Sequence, residues 1–282
     1  MTRRFYYGLD EDIRTILLAQ IRNLWTHTST AIEGNTLSLG DTAFVLEQGL
    51  TVSGKPLKDH QEIYGHSKAI ELIYRLLACD KLEKTDLFDL HKAVLTDAIT
   101  DIYKPVGAWK KESNFTSFVT PDGKQGWREY PIAALTDRLM SQWLRRITEF
   151  WNQELSRDRA TRAYADAHLS FVTIHPFYDG NGRMARLLAN LPVLAAGFPP
   201  LVIPVSDRKP YLSAISDYQN TITGLADLND LDKLPDNQEK RRFIELCSGY
   251  WNDTMELLDK AKEIQSIRIE HRQSNTLIDD EK

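Results

Sequence analysis

Apolar residues recur at helical spacing along most of the chain. In the first segment Ile13, Ile16, Leu17, Ile21 and Leu24 follow the i, i+3, i+4 pattern of one helical face. Similar patterns predict further helices over about 58–77, 86–95, 132–150, 160–174 and 183–196. The last range stops before Gly197, Pro199 and Pro200, residue types that end helices. The pattern therefore predicts an all-α fold.

One short region departs from this pattern. Residues 113–120 (SNFTSFVT) are rich in β-branched and aromatic residues, and Pro121-Asp122-Gly123 follows as a turn. Residues 125–130 can return as a second strand. Because an isolated hairpin is only marginally stable, we expect it to rest on the helices as a small, mobile β-hairpin flap.

The composition changes after Ile222. Residues 223–237 are acidic and rich in turn formers, which is typical of a linker, and helical periodicity returns over about 238–267. We therefore divide the chain into a main domain over 1–230 and a C-terminal helical extension over 231–282.

Composition and charge exclude several classes of protein. Of 282 residues, 42% are hydrophobic and 27% are charged, as in globular proteins. The net charge of −5 argues against a nucleic-acid-binding protein. Cys79 and Cys247 are too far apart to suggest a disulfide framework or a metal site. Neither a signal peptide nor a membrane span is predicted, so we expect a cytoplasmic protein with no membrane partner.

The run His175 to Arg186 (HPFYDGNGRMAR) combines groups that bind phosphate. Pro176 disfavours helical backbone at His175, so the preceding helix should end there. Gly180, Asn181 and Gly182 can direct backbone N–H groups at an anion, next to the positive end of the following helix. The loop therefore predicts a phosphate cradle.

Side chains of the same run add the remaining chemistry. Arg183 and Arg186 are three residues apart on the helix and can reach one anion. Asp179 suits a phosphate-bound Mg²⁺. His175 can be neutral near pH 7 and accept a proton. This set is typical of nucleotidyl or phosphoryl transfer.

The run resembles the signature of the Fic family, His-Pro-Phe-x-(Asp/Glu)-Gly-Asn-Gly-Arg-x-x-Arg, at every defined position. The resemblance, which extends over roughly 25–222, implies a protein adenylyltransferase that moves AMP from ATP to a Ser, Thr or Tyr hydroxyl of a target protein. It implies these roles: His175 as general base, Asp179 as Mg²⁺ ligand, Gly180, Asn181 and Gly182 as anion hole, Arg183 for the polyphosphate and Arg186 for the γ-phosphate.

A second segment, about 25–36, contains Ser29, Glu33 and Gly34. From the residues alone it is a helical turn or two ended by Gly34, with Glu33 at a helix C-terminus, where an anion is disfavoured. The segment resembles the family's inhibitory motif, (Ser/Thr)-x-x-x-Glu-(Gly/Asn). That resemblance implies that Glu33 pairs with Arg186 and blocks the γ-phosphate position. It also leaves removal of AMP open as a second activity, and relatives with this motif often form homodimers.

The resemblance also implies roles outside the two motifs. The hairpin over about 113–130 would hold the target by strand addition, with Phe115, Thr116 and Ser117 in contact. Tyr211, in the pair Arg208 and Tyr211, would help to form the wall of the adenine site, and Gln219 or Asn220 lies near an asparagine of relatives. Many relatives add a winged-helix module, and we expect none here because the last 60 or so residues lack strand signals.

Three alternatives stay open. The same fold can transfer UMP, phosphocholine or phosphate, although Gly182 argues against the kinase-like relatives, which have lysine there. A non-catalytic regulatory or toxin–antitoxin module is disfavoured by the intact His175 and Asp179. A metal hydrolase using His168, His175 and Asp179 lacks a familiar zinc spacing.

Overall fold

The computed structural model describes residues 4–79, 81–96, 104–119, 123–151 and 153–279. These residues form helices and one hairpin, in the following order: α1 (Glu11–Ile32), α2 (Leu39–Gln48), α3 (Leu57–Leu76), α4 (Lys84–Val94), β1 (Phe115–Val119), β2 (Gln125–Glu129), α5 (Ala133–Trp151), α6 (Arg157–Ile174), α7 (Asn181–Leu188), α8 (Asn190–Ala195), α9 (Arg208–Asn220), α10 (Gln238–Gly249) and α11 (Asn252–Asp279). The predicted fold class, all-α with a small β-hairpin, is confirmed.

Helix α6 lies at the centre of the fold. Thirteen of its 18 residues are buried, and it contacts α5, α7, α8 and α10. From Ala167 to Ile174 every residue is buried, so this half of α6 has no polar face, whereas the charged residues of its first turns are exposed. Because α6 is surrounded, the residue that follows it, His175, has a fixed position.

The helix predicted over 183–196 is in fact two helices, and this prediction is corrected. α7 ends at Leu188, Ala189 is a turn, and α8 begins at Asn190. Pro192 has no backbone N–H and cannot donate to the carbonyl of Leu188, which accounts for the break. The short α7 points its N-terminus at the loop 175–180.

Helix α1 is longer than the sequence pattern predicts. It runs without interruption from Glu11 to Ile32, so the turns expected at Ser29–Gly34 are its last turns. At its beginning, Arg268 of α11 donates to both carboxylate oxygens of Asp12 (2.7 Å each) and to Asp10 (3.0 Å). Helix α1 therefore connects the C-terminal helix to the region of the signature run.

The two predicted strands are present and antiparallel, with Ser117 opposite Trp127. Of the predicted turn, Pro121 and Asp122 lie outside the described residues. The hairpin rests on α9, as expected, because Arg128 donates to Gln219 Oε1 (2.9 Å), Ser216 Oγ (3.0 Å) and Asn220 Oδ1 (2.6 Å).

The segment 223–237 is not a free linker, and this prediction is wrong. Leu225, Leu228 and Leu231 are buried in the hydrophobic cluster, and the Leu231 N–H donates to Gln142. The acidic residues between these leucines make the composition resemble that of a linker, although a leucine at every third position is buried.

Among the residues described, no helix combines the length and the apolarity that a membrane crossing requires.

Candidate active site

His175 occupies a strained backbone position at the end of α6. Helix α6 ends at Ile174, and His175 has φ 51° and ψ 58°. Among the described residues it alone has a positive φ without being glycine. Such a conformation persists only where its surroundings enforce it, and it is typical of functional sites. The predicted helix end at His175 is confirmed.

The imidazole of His175 is half-buried and neutral. Its ring stacks on Tyr130 at 3.9 Å between centroids, and Nδ1 lies 3.4 Å from the carbonyl oxygen of Val172. Burial lowers the pKa of His175 to about 3, and the charge of Lys110 acts in the same direction. With Nδ1 protonated and facing Val172, Nε2 is the atom that can accept a proton.

Two residues that sequence reasoning missed hold this turn in place. The Asn114 side chain donates to the carbonyls of His175 (3.2 Å) and Phe177 (2.9 Å). The buried Lys110 donates from Nζ to Asn114 Oδ1 (2.8 Å) and from its backbone to Pro176 (2.8 Å). Burial lowers the pKa of Lys110 to about 7. Nothing in the sequence pattern links these residues to a segment more than 60 positions away.

His91 of α4 supports the other side of the loop and was also missed. Its Nδ1 accepts from the Gly107 N–H (2.9 Å), so Nε2 carries the proton and donates to the Asp179 carbonyl (3.0 Å). Its ring stacks on Phe177 at 3.8 Å. Burial lowers the pKa of His91 to about 4, so this support is neutral.

The predicted phosphate cradle has the expected backbone geometry. Gly180 has φ 76°, and α7 begins at Asn181, directly after it. The Asn181 side chain bonds the N–H (3.0 Å) and the carbonyl (2.8 Å) of Phe177, so it shapes the loop and offers a ligand only its backbone. Asp179 is exposed beside this helix N-terminus, and its Oδ1 accepts from the Gly180 N–H (2.6 Å).

Arg186 is buried and fully engaged by the end of α1. Its Nε donates to Ser29 Oγ (2.9 Å), and its Nη2 donates to the Ser29 carbonyl (2.8 Å) and to Glu33 Oε1 (2.7 Å). Its Nη1 lies 3.4 Å from the Tyr211 hydroxyl. Sequence reasoning named Ser29, Glu33 and Arg186, and the structure brings all three together.

The charges of Glu33 and Arg186 stabilise each other. Burial raises the pKa of Glu33, but the charge and hydrogen bond of Arg186 outweigh it, so the net shift is downward. Burial lowers the pKa of Arg186, but Glu33 and Tyr211 outweigh it, so the net shift is upward. Glu33 keeps 39% of its side-chain surface exposed, whereas Arg186 keeps only 3%.

The other arginine of the run, Arg183, also faces a carboxylate. Its Nη1 lies 3.6 Å from Glu62 Oε1 of α3 and 3.5 Å from the Val94 carbonyl. Glu62 was not identified from the sequence, because nothing local distinguishes it from the surface carboxylates of an amphipathic helix. Arg183 and Arg186 thus lie on one helix, as predicted, but each has its own acidic partner.

Four side chains that the resemblance placed at or near the nucleotide are engaged within the protein instead. Tyr211 is buried and its hydroxyl bonds His168 Nε2 (2.8 Å), so it supports Arg186 and does not form an open wall. The side chains of Gln219 and Asn220 accept from Arg128 of the hairpin. Arg208 donates to the Ile32 carbonyl (2.7 Å), which fixes the end of α1.

The hairpin residues divide between its two faces. Phe115 and Ser117 are exposed, as a target-binding role requires. Thr116 instead points inward, where its hydroxyl bonds that of Tyr130 (2.8 Å), the residue stacked on His175. Thr116 is therefore corrected from a target contact to a support of the site.

The metal-hydrolase alternative loses its third ligand. His168 is buried in the core and bonded to Tyr211, and burial lowers its pKa to about 3. No group of three or more potential metal-binding side chains occurs in the described part of the chain.

Comparison with a family model gives the same location. Residues 81–193 match the model described as the Fic/DOC family. Among curated proteins, "Protein adenylyltransferase fic-1" of Caenorhabditis briggsae is 37% identical over 203 residues, which is 68% of this chain and 36% of that protein. "Protein adenylyltransferase Fic" of Drosophila willistoni is 36% identical over 188 residues, 65% of this chain and 34% of that protein. The chain thus spans about a third of the length of these relatives.

Solved structures agree on the fold. A Fic domain containing signaling protein from Bacteroides thetaiotaomicron superimposes with a TM-score of 0.73 at 24% identity, covering 91% of this chain and 92% of that one. A structure of Fic-1 from C. elegans gives a TM-score of 0.59 at 26% identity, covering 92% and 69%.

Proposed function

This chain carries a Fic domain, and on that premise we propose that it is a protein adenylyltransferase that moves AMP from ATP to a Ser, Thr or Tyr hydroxyl of a target protein. One observation supports this most: the neutral imidazole of His175 lies directly before the N-terminus of α7, with Asp179 between them. A proton acceptor next to an anion-binding helix terminus is what nucleotidyl transfer requires.

The proposed reaction is a displacement at phosphorus. Nε2 of His175 takes the proton of the target hydroxyl, and the hydroxyl oxygen bonds the α-phosphorus of ATP. The bond from that phosphorus to the bridging oxygen breaks, and pyrophosphate leaves with the electron pair. Backbone N–H groups of Asn181 and Gly182 stabilise the charge that develops on the phosphate oxygens.

Asp179 is suited to bind a Mg²⁺ ion that also binds the phosphates of the nucleotide. It is a single exposed carboxylate, and Mg²⁺ in nucleotide sites is held by one or two carboxylates plus phosphate oxygens and water. When bound, Mg²⁺ neutralises charge on the phosphates. The absence of a larger acidic cluster among the described residues agrees with a metal that arrives with ATP.

We further propose that the enzyme is held inactive by Glu33. Glu33 and Ser29 occupy three N–H groups of Arg186, the residue that the family resemblance assigns to the γ-phosphate. While Arg186 is occupied in this way, ATP cannot bind with its α-phosphate in line with the attacking target hydroxyl. In the second proposed activity, removal of AMP, the Glu33 carboxylate would orient a water molecule. This activity is measured as release of AMP from pre-labelled protein.

A homodimer is also proposed. Leu39 and Phe44 of α2, Leu50 after it, and Leu57 at the start of α3 are exposed apolar residues on neighbouring elements. Burying them against a second copy would remove apolar surface from water. Light scattering should give twice the chain mass, and Leu57→Asp should give the monomer mass.

The chemistry is tested by intact mass of the Glu33→Gly protein after incubation with Mg²⁺ and each of ATP, UTP, GTP and CTP. A gain equal to one AMP, with ATP only, is expected, and wild type should gain much less. Gain of another nucleotide would change the transferred group, and no gain with any would contradict the proposal. His175→Asn is the matched control, because asparagine tolerates the left-handed backbone of this position but cannot act as a base.

A further inference from the structure

Glu62 of α3 is the only acidic side chain in an ion pair with Arg183 among the described residues. The pair spans 3.6 Å, and the side chains of Arg183 and Glu62 are only 7% and 9% exposed. Separating a buried cation from its partner leaves an uncompensated charge, which is strongly unfavourable. Arg183 therefore has a fixed counter-charge before any nucleotide arrives.

Asn35 fixes Glu62 in turn. Its Nδ2 donates to Glu62 Oε2 (3.0 Å) and to the Asp59 carbonyl (2.9 Å), while its Oδ1 accepts from the Leu37 N–H (3.1 Å). Asn35 lies two residues after Glu33, in the same turn that ends α1. The turn that carries the inhibitory carboxylate is thus bonded to the carboxylate that holds Arg183.

The two carboxylates differ in how easily they can leave. Glu33 is the residue after the last turn of α1, is 39% exposed, and its carboxylate bonds Arg186 alone among the described residues. Glu62 is inside α3, is 9% exposed, and uses one oxygen for Asn35 and the other for Arg183. Glu33 can move into solvent, whereas Glu62 has no such path. Only one of the two pairs is therefore exchangeable.

We infer that Glu62 is a positioning residue, which holds Arg183 ready for a nucleotide phosphate and stays in place when Glu33 leaves. This inference rests on the proposed function. A guanidinium has five N–H donors, so one edge can face Glu62 while others reach a phosphate. Glu33 would thus compete with ATP, while Glu62 would assist its binding.

The test measures binding of a non-hydrolysable ATP analogue with Mg²⁺, by calorimetry, together with initial rates, all in the Glu33→Gly background. Glu62→Gln keeps the shape and the acceptor for Asn35 but removes the charge. We expect roughly tenfold weaker binding and a raised KM for ATP with little change in kcat, as for a lost charged contact. Lys58→Met is the matched control, since Lys58 also lies 3.6 Å from Glu62 but is exposed. This variant should bind the ATP analogue as tightly as the Glu33→Gly parent protein does.

A double-mutant cycle separates positioning from general damage. If Glu62 acts through Arg183, Glu62→Gln should cause no further loss of affinity in an Arg183→Met protein. Additive losses, or unchanged or tighter binding by Glu62→Gln itself, would overturn the inference. If Glu62→Gln does not fold, Glu62→Asp, which keeps the charge and shortens its reach, should show an intermediate loss, and parent-like binding by it would count against Glu62. Failure of the Glu33→Gly parent to bind the analogue would instead refute the proposed function.

Discussion

The carboxylate of Glu33 lies directly over the α-carbon of Gly182. A β-carbon built on Gly182 would stand 2.5 Å from Glu33 Oε1 and 3.2 Å from Arg186 Nη1. Gly182 has an ordinary helical backbone, so the absence of a side chain serves the space above it and not a special conformation. Because Gly182 has no side chain, the Glu33 carboxylate can fill this space, which lies at the proposed phosphate site.

This relationship predicts a conditional effect of Gly182→Ala. In the wild-type protein the new methyl group displaces Glu33, and loss of the charged hydrogen bond should lower the free energy of unfolding by about 1–2 kcal/mol. In the Glu33→Gly protein that cost should disappear, because alanine is the better helix former. Urea unfolding of the four proteins measures the coupling, and equal effects in both backgrounds would show that Glu33 does not occupy this space.

The pair of Glu33 and Arg186 predicts a stability that depends on pH. The pKa of Glu33 is lowered in the folded protein and is about 4.3 in the unfolded chain. The pair therefore contributes fully to stability above that pH, and this contribution is lost as the pH falls through the folded pKa. Chemical denaturation from pH 6 to 3 should show wild type losing its advantage over Glu33→Gln in this acid range. A constant difference between the two proteins would contradict a charged pair.

His175 should stay neutral well below the usual range of histidine. Burial lowers its pKa to about 3, so the imidazole should remain uncharged from pH 8 to pH 5. NMR of ¹⁵N-labelled imidazoles can follow this directly, with an added free histidine peptide as the reference for an unperturbed pKa of about 6.5. Titration of His175 together with the free peptide would mean that the ring is solvated and not stacked on Tyr130.

Asn114 should be needed for both stability and catalysis. Asn114→Ala removes two donated hydrogen bonds and the acceptor of Lys110, which should cost about 2–3 kcal/mol in unfolding free energy. Because His175 then loses its restraint, labelling by the Glu33→Gly form should also fall at least tenfold. Lys111→Ala, an exposed neighbour, is the control and should change neither quantity. Normal labelling with lowered stability would limit Asn114 to a structural role.

Arg128 should keep the hairpin on α9. Arg128→Met removes hydrogen bonds to three α9 residues. The hairpin of this variant should therefore be cleaved at lower protease concentrations than in wild type, while the helical core stays resistant. Glu129→Gln, on the exposed face of the same strand, should leave the cleavage rate unchanged. Equal protection of Arg128→Met and wild type would show that other contacts hold the hairpin.

The helices and the phosphate loop could be predicted because their signals are local. Periodicity located most of the helices, but it missed α2, ended α1 early, and joined α7 with α8 and α10 with α11. Pro176 with the two glycines located the end of α6 and the start of α7. The pairing of Glu33 with Arg186, 153 residues apart, came only from the family resemblance. No property of either residue alone would have indicated it.

The supports of the site could not be predicted for a physical reason. His91, Asn114 and Glu62 act through contacts that form only when separate helices pack, and each has an ordinary local sequence context. Tyr211 was assigned to the nucleotide from the family resemblance, and the sequence could not show that its hydroxyl is buried. The burial of Leu225, Leu228 and Leu231 was missed because the acidic residues between them dominate the composition.

Helix α1 is held at both ends and along one side. Arg268 binds its beginning, Arg208 its end, and Leu17, Ile21 and Trp25 are buried between them. A rigid displacement of the helix would break all of these contacts, whereas a change in the χ angles of Glu33 breaks a single hydrogen bond. Side-chain rotations of that kind take roughly picoseconds to nanoseconds, far less than collective movements of helices. The proposed release of Arg186 thus needs only a rotamer exchange at Glu33, while the rest of α1 stays in place.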